Sequence, residues 1–198
     1  MTTEAEFEAM CAMLPSRNVG RLAVAIGRPL RDVARVFVRS SRAFGSDGAF
    51  DPRDELRYNS GQTLFEFGDV VHAFGVWSSQ LSLALLGDAD RDLVTGDPDC
   101  RVMRLRESGD AMVQLLGLTC VDVRIWTLDD GAASDRACEC AVSYCLGGGA
   151  ELVYGTYLHG AADDDYLLPG HRIWRDRARA CWSAARGATL SFAEYSRG

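Results

Sequence analysis

Lysine is absent from the sequence: all 21 basic residues are arginine, and 28 acidic residues leave a net charge of −7. A surface that neutralises nucleic-acid phosphates needs an excess of positive charge, so this balance argues against a nucleic acid as partner. A negative surface suits a basic protein instead, because complementary charge accelerates encounter and selects partners. The alternative is that the charge only keeps the protein in solution.

Long apolar runs are also missing, so no membrane is predicted as partner. No stretch reaches the roughly 18 uninterrupted apolar residues of a transmembrane helix. The N-terminal stretch MTTEAEFEAMCAML carries glutamates where a signal peptide would carry basic residues. Seven irregularly spaced cysteines, an odd number, fit reduced buried thiols better than a disulfide framework. These features predict a cytoplasmic protein.

Recognisable catalytic motifs are scarce as well. The chain has three histidines, His72, His159 and His171, and none of them lies in a nucleophile motif. The sequence contains no G-x-S-x-G, H-E-x-x-H or phosphate-binding G-x-x-x-x-G-K-[ST] pattern. We therefore favour a protein without catalytic residues or cofactors. A small-molecule binder or thiol-dependent enzyme is the alternative, with a sheet pocket lined by Cys140, Tyr157 and His159.

The stretch CECAVSYC, residues 138–145, raises the question of a metal site, because His159 follows at the end of the next apolar stretch. In a strand, alternate side chains share one face, so Cys138 and Cys140 point toward the core while Cys145 points the other way. A zinc site needs its thiolates gathered tetrahedrally around the metal, and such a strand does not gather them. We therefore predict thiols that pack in the core, and no metal.

Acidic side chains concentrate in two predicted loops. The segment DADRDLVTGDPD, residues 88–99, has aspartates at positions one, three and five of a calcium loop, but Leu93 stands at position six, where the turn needs glycine. The segment therefore does not predict a calcium site. Together with the aspartates of GAADDDYLLPG it predicts a negative surface that contacts a basic protein. The predicted partner-binding residues are Asp88, Asp90, Asp92, Asp163, Asp164 and Asp165.

We predict a single α+β domain over residues 1–198, with N-terminal helices and a C-terminal helix packed on a mostly antiparallel sheet of about six to eight strands. The helical part covers about residues 1–42, the sheet about 62–160 and the C-terminal helix about 171–186. Apolar spacing predicts a first helix over 4–14, and Pro29 suits the start of another along LRDVARVFVRSS. The runs TLFEF, VVHAFGVW, QLSLALL and TCVDVRIW are typical of strands.

One pair of short segments raises the question of an internal repeat. AIGRPLRDV and LLGLTCVDV each contain a glycine that ends a predicted helix, and Asp-Val follows five residues later, at Asp32 and Asp122. Segments of nine residues do not establish a repeat, and we expect a helix after the first glycine but a strand after the second. We therefore interpret the similarity as coincidence.

Residues 20–126 place these features in a particular order. A helix ends at AIGRPL, FEFGDVVHAFGVWSSQLSLALL supplies a hairpin, and a second short helix ends at LLG before VDVRIW. In this order and in its charge the chain resembles the small bacterial immunity proteins that protect a cell from polymorphic toxins. The resemblance implies an acidic, cytoplasmic α+β toxin inhibitor that acts by protein–protein interaction and occludes the basic active site of a cognate toxin. It carries over no functional residue, because such families bind through idiosyncratic surfaces.

Overall fold

The computed structural model describes residues 4–38, 56–59, 61–77, 82–87, 100–129, 138–156, 165–173, 175–176 and 191–195. These residues form an α+β fold of a few short helices and two antiparallel sheets. The helices are α1 (Glu4–Ala12) and α2 (Val19–Ala23), with 3-10 helices at Pro15–Asn18, Leu105–Glu107, Ala111–Leu115 and Gly147–Gly149. The strands are β1 (Leu30–Val38), β2 (Tyr58–Asn59), β3 (Gln62–Phe67), β4 (Val70–Trp77), β5 (Ser82–Leu85), β6 (Cys100–Arg104), β7 (Cys120–Asp129), β8 (Cys138–Leu146), β9 (Glu151–Thr156), β10 (Asp165–Pro169) and β11 (Ser191–Tyr195). No helix in these ranges is long and apolar enough to cross a membrane.

Hydrogen-bonded neighbours in both sheets run antiparallel. The first sheet has five strands in the order β5-β4-β3-β1-β6, and the second has six in the order β11-β7-β8-β9-β10-β2. Short connections favour this pairing, such as the two residues between β3 and β4, where Gly68 has a φ of 61°. The predicted antiparallel arrangement is confirmed, but the strands divide into two sheets instead of forming one.

The hydrophobic core lies between the two sheets. Phe65 and Phe74 of the first sheet contact Tyr144 and Tyr154 of the second. Ring centroids are 4.9 Å apart for Phe65–Tyr144 and 5.7 Å apart for Phe74–Tyr154. All four side chains are fully buried. Burial of a large apolar side chain stabilises a fold by roughly 1.5–3 kcal/mol, so these aromatic contacts are a principal link between the sheets.

The N-terminal helix forms as predicted, and a buried carboxylate attaches the turn that follows it. α1 ends at Ala12, and Pro15 begins the first 3-10 helix. Glu139 of β8 accepts hydrogen bonds from the backbone N–H of Ser16, at 2.8 Å, and from the Ser16 hydroxyl. Burial raises the pKa of the Glu139 carboxyl, and the hydrogen bonds from Ser16 oppose this rise. The N-terminal segment is thereby fixed to the second sheet.

The helix predicted to start at Pro29 is wrong, because LRDVARVFVRSS forms β1 over its described part. Apolar residues lie on both faces of this strand: Val33 points into the core between the sheets, while Ala34 and Val36 pack on the opposite face. A strand that is buried on both faces shows no alternation of apolar and polar residues. Its spacing therefore resembles that of a buried helix.

The two glycine-containing segments occupy equivalent positions in the fold. Gly27 and Gly117 have φ values of 85° and 86°, and β1 and β7 begin three residues after them. Both strands have a register shift after their first residue. Asp32 and Asp122 then each accept a hydrogen bond from the following backbone N–H, at 3.0 and 2.9 Å. A shift of 90 residues relates the two segments, so the interpretation of their similarity as coincidence is wrong.

This repeat extends through both sheets. The first half of the chain, residues 19–104, gives the strand order β6-β1-β3-β4-β5, and the second half, residues 111–195, gives the matching order β11-β7-β8-β9-β10. In each half a short helix precedes four strands that pair in succession, and a fifth strand returns to pair with the first. β2 is the exception, because it comes from the first half and pairs with β10. Two halves of equal topology therefore face each other across one core.

The halves meet at a seam formed by residues 27–30 and 117–120. Four backbone hydrogen bonds of 2.8 to 2.9 Å cross the seam, and each has a counterpart: Gly27–Cys120 with Gly117–Leu30, and Cys120–Arg28 with Leu30–Leu118. The antiparallel bridge between Pro29 and Thr119 lies between them. Exchange of the two segments converts each bond into its counterpart, so an approximate two-fold axis relates the halves.

Candidate functional site

The cysteine-rich strand β8 places the thiol of Cys140 in a packing position and leaves that of Cys145 partly exposed. Cys140 is fully buried, and its thiol donates to the backbone carbonyl of Trp126 at 3.3 Å. A register shift between β7 and β8 falls at this residue and interrupts the alternation predicted for the strand. Cys145 is partly exposed. Cys140 therefore behaves as a small buried side chain.

The metal and pocket hypotheses depend on residues outside the described ranges. Tyr157 and His159 are among them, so their positions relative to Cys140 stay predictions. Within the described ranges, no three His, Cys, Asp or Glu side chains are placed to bind a metal ion. The sequence did not single out Cys120, a second buried thiol, whose pKa burial raises to about 11. This thiol is protonated at neutral pH and is a poor nucleophile.

One of the six predicted partner-binding aspartates is buried. Asp165 is the first residue of β10, has no exposed side-chain surface and forms an ion pair with Arg35 of β1. A buried carboxylate cannot contact a partner, so the assignment of Asp165 to an acidic loop surface is wrong. The other five lie outside the described residues: Asp88, Asp90, Asp92, Asp163 and Asp164.

Asp165 belongs to a closed set of hydrogen bonds that we call the polar ring, formed by Arg35, Thr63, Tyr154 and Asp165. Arg35 donates through Nη1 to the Thr63 hydroxyl at 2.7 Å and through Nη2 to Asp165. The Thr63 hydroxyl donates to the Tyr154 oxygen, and the Tyr154 hydroxyl donates to the other Asp165 oxygen at 2.6 Å. Burial and the neighbouring Asp165 carboxylate hold the pKa of Tyr154 well above its usual range. The hydroxyl is therefore a hydrogen-bond donor at every physiological pH.

The polar ring is energetically demanding for the core. All four side chains are buried, and Nε of Arg35 has no hydrogen-bond partner in the described part of the chain. Desolvation of a buried ion pair offsets much of its attraction, and apolar side chains of similar volume are often as stable or more so. Removal of one partner is a different matter, because an unpaired buried charge destabilises by about 3–5 kcal/mol. Such a ring needs a reason other than stability.

The repeat shows that the fold does not require polarity at this position. The residues equivalent to the polar ring are Ile125 for Arg35, Val142 for Thr63, Phe74 for Tyr154 and Leu83 for Asp165. All four belong to the hydrophobic core, and we call them the apolar counterpart. The same backbone arrangement is therefore filled once with charge and once without it.

His72 is a buried histidine with a partner for each ring nitrogen, as expected for a structural residue of a sheet. Nε2 lies 3.0 Å from the Arg21 carbonyl, and Nδ1 lies 2.8 Å from the Tyr144 hydroxyl. A carbonyl only accepts, so Nε2 carries the proton and Nδ1 accepts from Tyr144. Burial lowers the pKa of His72 to about 4. The neutral imidazole thus joins α2 to both sheets.

His171 links the start of the predicted C-terminal helix to the second sheet. Residues 171–173 and 175–176 of this helix are described, and they are helical. The ring of His171 stacks on Trp126 with centroids 5.0 Å apart. Nδ1 and the backbone N–H of His171 contact one oxygen of Glu151, at 2.6 and 2.8 Å. No sequence signal links these residues, because they come from three separate strands and helices.

Charge differs between the halves at one equivalent connection. Segment 88–99, between β5 and β6, has five aspartates against Arg91, which is a net −4 of the chain's −7. The equivalent connection between β10 and β11, residues 170–190, has five arginines against Asp176, a net +4. The two equivalent connections thus differ by eight units of net charge. No protein-family model matches the sequence, and neither a curated protein nor a solved structure matches it.

Proposed function

We propose that the chain is a non-enzymatic binding protein that captures a basic protein through segment 88–99. In its specific form, it is a cytoplasmic bacterial immunity protein that neutralises a cognate toxin by covering the toxin's basic active site. The observation that carries this proposal is the net charge of −4 between Asp88 and Asp99, more than half of the chain's total.

A segment with this much negative charge acts mainly on the rate at which the two proteins associate. Opposite charge on the two partners raises association rates by roughly one to three powers of ten at low ionic strength. Affinity comes mainly from a few side chains buried at the centre of an interface. Leu93 and Val94, in the middle of the segment, are the candidates for that contact. Salt should therefore slow association much more than it speeds dissociation.

The fold offers a firm support for such a segment. β5 and β6 flank it and belong to one sheet, where they pair with β4 and β1. Binding residues are commonly carried on connections that a rigid scaffold positions. Asp163 and Asp164, which directly precede the buried Asp165, remain a second proposed contact.

The test compares two variants that each remove three negative charges. D88N/D90N/D92N removes them from segment 88–99, and E4Q/E8Q/E107Q removes three exposed carboxylates elsewhere. The immunity proposal predicts that a basic toxin is encoded next to this chain, and that protein is the partner in the test, assayed by growth rescue on co-expression and by association kinetics. We expect the first variant to lower the association rate about tenfold at low salt and to weaken rescue, with little change in the second.

Equal loss in both variants would mean that total charge governs capture and would contradict a role for the segment. A wild-type chain that neither binds nor rescues against its basic neighbour would remove the immunity proposal.

A further inference from the structure

The two halves present nearly equivalent inner faces to each other. Their strand orders match, and equivalent aromatic residues meet across the core, Phe65 with Tyr144 and Phe74 with Tyr154. A two-fold arrangement of this kind also suits two like halves taken from two molecules. Some feature of the inner faces must favour the pairing of unlike halves.

We propose that the polar ring makes this choice, so that each half is the specific partner of the other. Arg35 and Thr63 come from β1 and β3 of the first half. Tyr154 and Asp165 come from β9 and β10 of the second half. The guanidinium and its carboxylate therefore meet only when unlike halves pair.

A pairing of two first halves leaves Arg35 unmatched. In that pairing the places of Tyr154 and Asp165 are taken by Phe74 and Leu83. The guanidinium is then buried with no carboxylate beside it, which is strongly unfavourable. Because the arrangement is two-fold, the mismatch occurs twice.

A pairing of two second halves separates Asp165 from Arg35 instead. Ile125 and Val142 take the places of Arg35 and Thr63. Asp165 then loses its ion pair with Arg35, while the hydrogen bond from Tyr154 comes from its own half. Loss of a buried ion-pair partner is again unfavourable, and again it occurs twice.

The apolar counterpart is as necessary for this choice as the polar ring. If both of these positions in the core carried a polar ring, or if both were apolar, like halves would match as well as unlike halves. Because one position is charged and the other is apolar, only the native pairing of unlike halves matches. This explains why a costly buried ion pair occurs at only one of two equivalent positions.

Thr119 offers a reporter of which halves have paired. It is exposed and faces Pro29 in the native seam, whereas two paired second halves would place Thr119 opposite its own copy. Cα atoms of directly opposed antiparallel residues are about 4.5–5.5 Å apart, which a disulfide can span. T119C should therefore give a disulfide-linked dimer only when second halves pair with each other. The same chain without T119C corrects for links through the native cysteines.

The decisive variant gives the polar ring the residues of its apolar counterpart: R35I/T63V/Y154F/D165L. We expect it to fold, since apolar replacement of a buried ion pair is tolerated. After refolding from urea at about 100 µM, the linked-dimer fraction with T119C should rise about tenfold above that of T119C alone. Further substitution with I125R/V142T/F74Y/L83D rebuilds the ring at the position of the apolar counterpart. The linked-dimer fraction should then return to the level of T119C alone.

An unchanged linked-dimer fraction in the fourfold variant would overturn the proposal. R35M/D165L removes only the two charges and is the second version if the fourfold variant does not fold, with the same expected rise. Failure of both variants to fold would also overturn it, because the ring would then be required for folding itself.

Discussion

The environment of His72 keeps its imidazole neutral. Its two hydrogen bonds, to the Arg21 carbonyl and from the Tyr144 hydroxyl, suit one tautomer only. Protonation of Nδ1 would remove the acceptor for Tyr144 and bury a positive charge. Burial accordingly lowers the pKa of His72 to about 4, well below the usual value of 6.5.

Acid should destabilise the protein through this residue. As pH falls, the unfolded chain binds the proton near pH 6.5 and the folded chain only near pH 4. The contribution of His72 is therefore complete above pH 6.5 and declines by about 1.4 kcal/mol per pH unit, a total loss of roughly 3 kcal/mol near pH 4. Urea unfolding of wild type and H72Q between about pH 7 and pH 4.5 measures this, and the wild type should lose more stability than the variant.

Y144F is the control for this measurement, because it keeps the histidine. It should lose about 1–2 kcal/mol at neutral pH and retain most of the pH dependence of the wild type, because burial is the main cause of the lowered pKa of His72. An H72Q variant with the full wild-type pH dependence would assign the acid sensitivity to other groups.

At the scale of residues, the sequence does not predict which buried polar groups bond to each other. Asp165 and Arg35 are 130 residues apart, Glu139 and Ser16 are 123 apart. The sequence predicts that apolar side chains form the core, but no local pattern encodes which distant groups share a hydrogen bond. Because Asp165 follows two other aspartates, the sequence predicts a loop surface for it.

At the scale of elements, the glycine before each half's first strand has a defined role. Gly27 and Gly117 adopt nearly the same positive φ, and a Cβ built on either one has no atom within 4 Å. A substitution there is opposed by backbone conformation alone. The two turns can therefore be compared directly.

Gly27→Ala and Gly117→Ala should each destabilise the protein by about 1–2 kcal/mol, because a left-handed conformation is unfavourable for any residue with a Cβ. Gly20→Ala is the matched control: its Cβ also meets open space, it lies inside α2, and its φ is not positive. There the same change should stabilise by about 0.5–1 kcal/mol. Thermal or urea unfolding measures all three, and losses that differ by more than about 1 kcal/mol between the two turns would argue against their equivalence.

The elements were predictable where their pattern has a single period. α1 and the antiparallel strands from Gln62 to Leu85 follow from spacing and short connections. β1 was not, because apolar residues on both of its faces remove the alternation that distinguishes a strand. That one error also concealed the repeat, since it gave the two equivalent segments different structures.

At the scale of the whole molecule, the core belongs to neither half alone. Phe65 and Phe74 contact Tyr144 and Tyr154 of the second half, and four hydrogen bonds cross the seam. Separation of the halves would expose this surface on both. The prediction of a single domain over residues 1–198 therefore implies that the two halves unfold together.

Hydrogen exchange offers a direct measure of that cooperativity. Amides of β3 in the first half and β8 in the second should open with the same free energy, equal to that of global unfolding by urea. A value about 2 kcal/mol lower in one half would show that this half opens by itself and would contradict a single domain.

The pairing of β2 with β10 affects how neighbouring molecules of the protein can associate. The last strand of a meander offers a row of backbone N–H and C=O groups, on which a foreign strand can add and begin aggregation. β2 occupies part of that row on β10, and the Met13 carbonyl accepts from the Leu85 N–H on β5. The exposed margins of both meanders are thus partly blocked by segments from the N-terminal third of the chain, which hinders strand addition between neighbouring molecules.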